Sequence, residues 1–163
     1  AILELTGPEG IRQVPIQEFY TGPGKTVRRH EEVMTAIRIR RRDYEGYTGC
    51  YIKYGKRNAM EIATLGCACL VKLSRDKKVV EDMRIAYGVA APTPVRCPET
   101  EKSVSGQAVS KALLLQTGKG VLNEVNPRTS WRASKEFRLQ LVEELAKRAM
   151  AQAIRNGGGE VDA

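Results

Sequence analysis

Two apolar runs in the middle of the chain set the pattern for its fold. Residues 62–73 and 79–90 are rich in apolar and β-branched side chains, and the polar segment 74–78 separates them. Apolar runs of this length bounded by polar residues are typical of strands, so the pattern predicts a β-hairpin. Upstream, isoleucines alternate with arginines within residues 35–40, which predicts a half-exposed strand.

The N-terminal stretch has the signals of a second, smaller hairpin. Residues 2–5 and 12–16 have strand patterns, and the segment 6–10 between them contains the Gly and Pro residues of a turn. Residues 17–20 predict one helical turn before the break at residues 21–25. That break ends in Gly-Lys but lacks the spacing of a phosphate-binding P-loop, which argues against nucleotide hydrolysis.

Helical patterns follow the strands. Residues 98–102 and 107–116 predict two helices, and a third turn and helix come before the last helix. Between Phe137 and Ala153 apolar residues recur every four positions, which predicts a C-terminal helix that ends at Asn156-Gly157. Strands followed by helices, without βαβ alternation, predict an α+β fold. We expect an antiparallel sheet of three to four main strands covered on one face by a C-terminal group of about three helices.

Composition narrows the class of protein. A chain of 163 residues that is 42% hydrophobic is long enough for one domain with its own core. Its net charge of +8 indicates an anionic partner, with nucleic acid, a phosphate-bearing cofactor, an anionic membrane and an acidic protein face as the alternatives. Neither a signal peptide nor an apolar run of transmembrane length is present, so we expect a cytoplasmic location without membrane contact. The chain starts with a strand pattern and no Met, which suggests a fragment that begins within a fold.

The cysteines do not have the spacing of a metal or redox site. The chain contains Cys50, Cys67, Cys69 and Cys97, and no two of them form a C-x-x-C motif. Cys67 and Cys69 are two residues apart in a strand pattern, so we predict buried thiols on one face of a strand. Because His30 is the sole histidine, we predict no metal site.

A basic strip follows the alternating strand and has two interpretations. It consists of Arg38, Arg40, Arg41 and Arg42, followed by the aromatic residues Tyr44 and Tyr47. Cations interleaved with stacking aromatics are typical of RNA-binding surfaces, so a basic RNA-binding module is the alternative function. We favour the simpler interpretation, a solvated sheet edge whose charges discourage strand addition.

A second basic cluster lies at the start of the C-terminal helix. Its members are Arg128, Arg132, Lys135 and Arg138. The helix macrodipole disfavours cations there by a few tenths to about 1 kcal/mol each. The cluster is therefore either a solvated face or a surface that docks on acidic groups or phosphate.

Several motifs, taken together, resemble one family. They are EFYTGPGK at residues 18–25, Lys53-Tyr54 with Arg57, AMEI at 59–62, GVAAPTP at 88–94 with Arg96-Cys97, and SWRASKEFR at 130–138. In this order they resemble the C-terminal domain of the FAD-binding subunits of bacterial xanthine dehydrogenases, which are molybdenum hydroxylases. The domain resembles the C-terminal domain of CO dehydrogenase flavoproteins. The resemblance covers almost the whole chain.

The resemblance implies a role in electron transfer. Such a domain completes an FAD pocket whose larger part lies on an N-terminal domain that this sequence lacks. Electrons pass from 2Fe–2S clusters through FAD to NAD, while the molybdopterin and iron–sulfur groups are on partner subunits, and nucleic acid has no part. The whole chain, 1–163, is then one C-terminal domain without catalytic residues of its own. Within it we expect a linker and strand pair at 1–30, a sheet at 31–97, helices at 98–156 and a frayed tail at 157–163.

The resemblance also indicates which residues contact the cofactor. Val33 and Met34 match an apolar pair placed against it, and Ile52 and Lys53 match strand positions that complete the pocket. Arg57 lies in a loop that tunes access of the nicotinamide cofactor to the flavin ring. From the residues alone, a core position at the start of a strand is the default interpretation of Val33 and Met34, and Lys53 is consistent with a solvent-facing position.

Overall fold

The structure, a computed structural model, describes residues 1–57 and 59–161. It divides into two compact units, Ala1–Glu45 and Gly46–Ala163. Asn58 in the predicted cofactor loop and residues 162–163 of the predicted tail lie outside the described residues. The expectation that the whole chain is one C-terminal domain stays a prediction.

The first unit is built on a three-stranded antiparallel sheet in the order β2-β1-β5. Its elements are β1 (Ile2–Gly7), β2 (Gly10–Pro15), α1 (Ile16–Phe19), β3 (Tyr20–Gly22), β4 (Lys25–Thr26), β5 (Val33–Arg38) and a 3-10 turn at Arg41–Asp43. The predicted hairpin, the helical turn and the alternating strand are thereby confirmed. Leu3, Leu5, Val14 and Phe19 form its small core.

A buried carboxylate holds the segment before β5 in place. Glu32 is 5% exposed and accepts hydrogen bonds from Arg12 at 2.5 and 2.9 Å and from the Arg29 amide at 2.6 Å. These bonds from Arg12 and the Arg29 backbone lower the pKa of Glu32 to about 2. The Glu32 carboxylate therefore serves the fold of this unit, and both of its oxygens accept hydrogen bonds.

The second unit pairs a larger antiparallel sheet with helices. The strands are β6 (Tyr47–Tyr54), β7 (Leu65–Leu73), β8 (Val79–Gly88), β9 (Val95–Arg96) and β10 (Gln107–Ala108), and the helices are α2 (Pro98–Val104), α3 (Lys111–Gly120) and α4 (Lys135–Asn156), with a 3-10 turn at Val121–Asn123. The strand order is β10-β8-β7-β6, with β9 also pairing with β8. The α+β class and the central hairpin β7-β8 are thus confirmed.

The sheet has one buried and one exposed face because side chains alternate along each strand. Cys67, Cys69, Ile85 and Tyr87 point to the inner face and are at most 1% exposed, among the residues that pack with α4. The thiols of Cys67 and Cys69 are buried on one face as predicted, and burial raises the pKa of Cys67 to about 12. They are therefore neutral core groups.

The C-terminal helix has the predicted extent, but the helix before it does not. The Ser134 hydroxyl accepts a hydrogen bond from Phe137 N at 3.2 Å, so it caps the first turn of α4. The predicted helix 107–116 is wrong at its start, because Gln107 and Ala108 pair with β8 and α3 begins only at Lys111. The predicted third helix is a single 3-10 turn.

The residues that follow α4 differ from the predicted frayed tail. Gly159 N donates a hydrogen bond to Ile154 O at 3.0 Å, and Val161 packs against the core. The tail is therefore held to the fold as far as Val161.

In the described part of the chain, no helix combines the length and the apolar character that crossing a bilayer requires.

Candidate functional site

The predicted contacts Ile52 and Lys53 lie next to each other on β6 and point in opposite directions. Ile52 faces inward and packs against the hydrophobic core, whereas Lys53 is exposed on the outer face. Successive residues of a strand cannot line the same side of a sheet. Of the two, only Lys53 is placed to meet a ligand on the outer face of the sheet.

Tyr51 shares the outer face with Lys53 and was missed by the motif comparison. Its side chain is 65% exposed and lies across Gly66, where an added Cβ would be 2.9 Å from the Tyr51 hydroxyl. In register with Tyr51 are the small residues Ala68 and Ala86 on the next two strands. The result is a low surface with one aromatic ring and one ammonium group. The period of two from Lys53 is the sequence signal that could have identified Tyr51.

The loop after β6 is organised around the carboxylate and carbonyl of Glu61. Lys53 Nζ donates to Glu61 O at 2.5 Å, and Arg57 N donates to Glu61 Oε2 at 2.5 Å. The Arg57 side chain donates to Met60 O at 3.0 Å, and Thr64 N closes the loop by donating to Tyr54 O at 2.8 Å. Lys53 and Arg57, both predicted cofactor contacts, therefore also hold the loop in shape.

Gly55 permits this arrangement. A Cβ at Gly55 would lie 2.3 Å from Glu61 Oε2, so any larger residue displaces the carboxylate. Backbone N–H groups of Arg57 and Lys56 bind that carboxylate, and they lower the pKa of Glu61. The glycine and the glutamate are thus fitted to each other.

We expect Glu61→Ala and Gly55→Ala each to speed hydrogen exchange of the Arg57 amide by about tenfold, since the first removes its acceptor and the second displaces it. Because they remove the same contact, the double variant should exchange no faster than Glu61→Ala. Because the pKa of Glu61 is lowered, its carboxylate stabilises the loop fully above the ordinary Glu value of 4.5. This stabilisation is lost as the pH falls through the lowered pKa of Glu61. Exchange measured by NMR across this pH range checks both points.

Glu81→Ala is the matched control, because its side chain is 47% exposed and its ion pair with Lys72 is long at 3.8 Å. It should leave Arg57 exchange unchanged. An Arg57 amide equally protected in Glu61→Ala would show that other contacts hold the loop.

A cleft of about 420 Å³ lies beside this loop. It is lined by Lys56, Arg57, Met60, Glu61, Ile62, Thr64, Trp131 and Arg132. Trp131 is 82% exposed, and the Arg132 guanidinium carbon lies 4.5 Å from the centre of its ring. The cleft therefore combines an exposed aromatic ring with several cations.

Arg138 corrects the interpretation of the basic cluster at the start of α4. Both predicted roles, a solvated face and a docking surface, require an exposed side chain, but Arg138 is only 1% exposed. Its guanidinium donates to Arg128 O and, at 2.8 Å, to Ser130 Oγ, while Nε has no partner. Burial, together with the charges of Arg128 and Arg132, lowers the pKa of Arg138. Arg138 is a buried residue that positions the loop before α4.

Val33 and Met34 are on β5 of the first unit and are 66% and 36% exposed. They are not core residues at the start of a strand, so that interpretation is wrong. Because they are adjacent on a strand, they point to opposite faces. Their contact with a cofactor stays a prediction.

The basic strip forms ion pairs at the edge of the first sheet. Arg38 pairs with Glu4 at 2.8 Å, Arg40 with Asp43 at 3.1 Å and Arg41 with Glu45 at 2.7 Å. The Tyr47 hydroxyl donates to Asp82, and Arg84 covers its ring at 4.4 Å. β5 is an edge strand, as the simpler interpretation requires, and these contacts give no support to RNA binding.

The amino-acid sequence matches one protein family and subunits of dehydrogenases. The family described as the CO dehydrogenase flavoprotein C-terminal domain matches residues 50–153. The xanthine dehydrogenase FAD-binding subunit of Escherichia coli O157:H7 is 40% identical over 161 residues, which cover 99% of this chain and 54% of that protein. The glyceraldehyde dehydrogenase medium chain of Sulfolobus acidocaldarius is 30% identical, over 93% of this chain and 52% of that protein.

Solved structures agree with the sequence relatives. Reconstituted CO dehydrogenase from Oligotropha carboxidovorans matches with a TM-score of 0.84 and 25% identity, over 95% of this chain and 53% of that chain. The quinoline 2-oxidoreductase of Pseudomonas putida 86 has the same fold, with a TM-score of 0.82 at 16% identity. The chain spans about half the length of the curated relatives it matches.

Proposed function

This chain belongs to the family of CO dehydrogenase flavoprotein C-terminal domains, as its motifs predicted, and we propose that it completes the FAD pocket of a molybdenum hydroxylase flavin subunit. The observation that carries the proposal is the outer sheet face with Tyr51 and Lys53, which is exposed while the helices pack on the other face. In this proposal the chain contributes shape and charge to the pocket.

The residues of this face fit a flavin. Gly66, Ala68 and Ala86 leave the surface around Tyr51 low, so a planar ring system can approach the tyrosine ring. Lys53 presents an ammonium group, which suits an electron-rich ring edge or a phosphate. FAD, when bound, supplies the redox chemistry, and the chain's own residues orient the ring and shield it from water.

The wider assembly follows from the same proposal. In this proposal, electrons would pass from 2Fe–2S clusters on a partner subunit to FAD, and NAD would be the final acceptor. The hydroxylation itself would take place at a molybdopterin centre on another partner subunit. The larger part of the FAD site lies on the N-terminal domain of the flavin subunit. We propose the cytoplasm as its compartment, and Val33, Met34 and Arg57 as further contacts to the cofactor.

Tyr51→Ala in the full-length flavin subunit should weaken FAD binding by about two- to tenfold, because one stacking contact is worth about 0.5–1.5 kcal/mol beyond its buried area. Calorimetric titration of FAD into the flavin-free subunit measures the change. Tyr44→Ala is the control, since Tyr44 is also an exposed tyrosine, at 55%.

Unchanged FAD affinity in Tyr51→Ala would contradict the placement of the flavin on this face. A full-length subunit that never carries flavin would contradict the function itself. The 163 residues alone provide one wall of the pocket, so they should bind FAD weakly or not at all. Submicromolar binding by this chain would show that the sites are divided differently.

A further inference from the structure

An exposed apolar patch lies in the cleft between the Glu61 loop and the loop before α4. Met60 is 95% exposed, Ile62 66% and Trp131 82%, and all three line the same cleft. Large apolar side chains grouped this way and rimmed by polar residues mark interaction surfaces. We refer to these three residues, with Lys56, Arg57 and Arg132, as the Trp131 cleft.

The rim of the Trp131 cleft carries more positive than negative charge, since its lining holds Lys56, Arg57 and Arg132 but Glu61 as its one carboxylate among the described residues. Lys56, Arg57 and Arg132 form no salt bridge with any carboxylate in residues 1–57 and 59–161. The one carboxylate in the lining, Glu61, is bound by backbone N–H groups. The local charge therefore favours an acidic partner.

A second sign of missing negative charge lies at the start of α4, which follows the loop that carries Trp131 and Arg132. Arg138 is buried without a carboxylate partner among the described residues, and Ser130 Oγ accepts from Arg138 and from the Arg132 amide. A buried cation is costly unless an opposite charge is near. Burial is the main cause that lowers the pKa of Arg138, and repulsion from Arg128 and Arg132 adds to it. An acidic group docked at Arg132 would offset that repulsion.

The shape of the surface distinguishes a polypeptide from a small ligand. Small-molecule sites bury most of the ligand in a concave pocket, whereas Met60 and Trp131 project into solvent. Trp and Arg, which contribute most binding energy at protein interfaces, stand side by side here as Trp131 and Arg132.

We propose that the Trp131 cleft docks an acidic segment of another subunit of the same enzyme. Carboxylates of that segment face Lys56 and Arg132, and an apolar side chain enters between Met60 and Trp131. The inference rests on the proposed function, in which this chain is part of one subunit among several.

The test uses the full-length flavin subunit co-expressed with its partner subunits. Trp131→Ala and Arg132→Glu should each weaken subunit association by about tenfold or more, measured by native mass spectrometry on dilution. Leu115→Ala, at a side chain 52% exposed on α3, and Arg155→Glu, on the last turn of α4, are matched controls that should assemble normally. FAD content should stay unchanged in all four variants. A wild-type subunit without flavin would instead contradict the proposed function, so the two failures can be distinguished.

Three outcomes would overturn the docking proposal. The first is wild-type association in both Trp131→Ala and Arg132→Glu. The second is a wild-type flavin subunit, carrying FAD, that copurifies with no other chain. The third is Trp131-dependent binding of ADP, used as a probe, with assembly unaffected by either substitution, which would make the cleft a nucleotide site.

Discussion

Tyr87→Ala is expected to lower the free energy of unfolding by about 3–5 kcal/mol. Tyr87 is 1% exposed on the inner face of β8, and its hydroxyl donates to Val142 O on α4 at 3.0 Å. The substitution removes a whole ring from the contact between sheet and helix and leaves a cavity that neighbouring backbone cannot fill. Urea denaturation followed by circular dichroism measures the loss.

Tyr87→Phe separates the ring from its hydroxyl. Burial raises the pKa of Tyr87, so the hydroxyl stays protonated and remains a donor well into the alkaline range. The phenylalanine variant loses only this hydrogen bond and should cost about 1 kcal/mol. If Tyr87→Ala cost no more than Tyr87→Phe, the ring would not be what joins β8 to α4.

Elements with a long, regular period could be predicted from the sequence. The hairpin of β7 and β8 and the helix α4 have uninterrupted apolar patterns, and both are found where expected. Short elements depend on neighbours distant in sequence. Gln107 and Ala108 are helix-compatible, but the free edge of β8 at Val79 and Val80 draws them into a strand.

The candidate site contains features that the sequence analysis did not predict. The alternation of a strand places Ile52 and Lys53 on opposite faces, and the same alternation would have added Tyr51 to the face of Lys53. The contact of Ile52 with a cofactor stays a prediction. Arg138 has the sequence context of a surface cation, yet the carbonyl of Arg128, ten residues earlier, and Ser130 bind it in the interior. Contacts of this kind depend on the path of a loop, which local patterns do not specify.

The predicted cofactor residues also turn out to have a structural task. Lys53 and Arg57 bind the backbone of the Glu61 loop, so changing either one alters both the charge of the outer face and the shape of the cleft. For this reason Tyr51 is the cleaner test of flavin binding, and Trp131 the cleaner test of docking. Neither side chain donates to the loop in the described contacts.

Glu101 acts as a substitute strand partner at the edge of β8. Its carboxylate is on α2, is 8% exposed and accepts from Ile85 N at 2.9 Å, next to the point where the short β9 pairing ends. Arg96, on β9, donates to both of its oxygens. The carboxylate therefore joins α2, β8 and β9 through one group.

Glu101→Ala is expected to lower the free energy of unfolding by about 2–3 kcal/mol, because the Ile85 N–H loses its acceptor inside the protein. Glu101→Gln keeps an acceptor for the Ile85 N–H and removes only the negative charge. It should cost about 1 kcal/mol or less, because the Arg96 side chain is 44% exposed and water replaces part of its ion pair. Urea denaturation of both variants gives the two values. Equal losses would mean that the ion pair with Arg96, and not the bond to the strand edge, is what stabilises this corner of the fold.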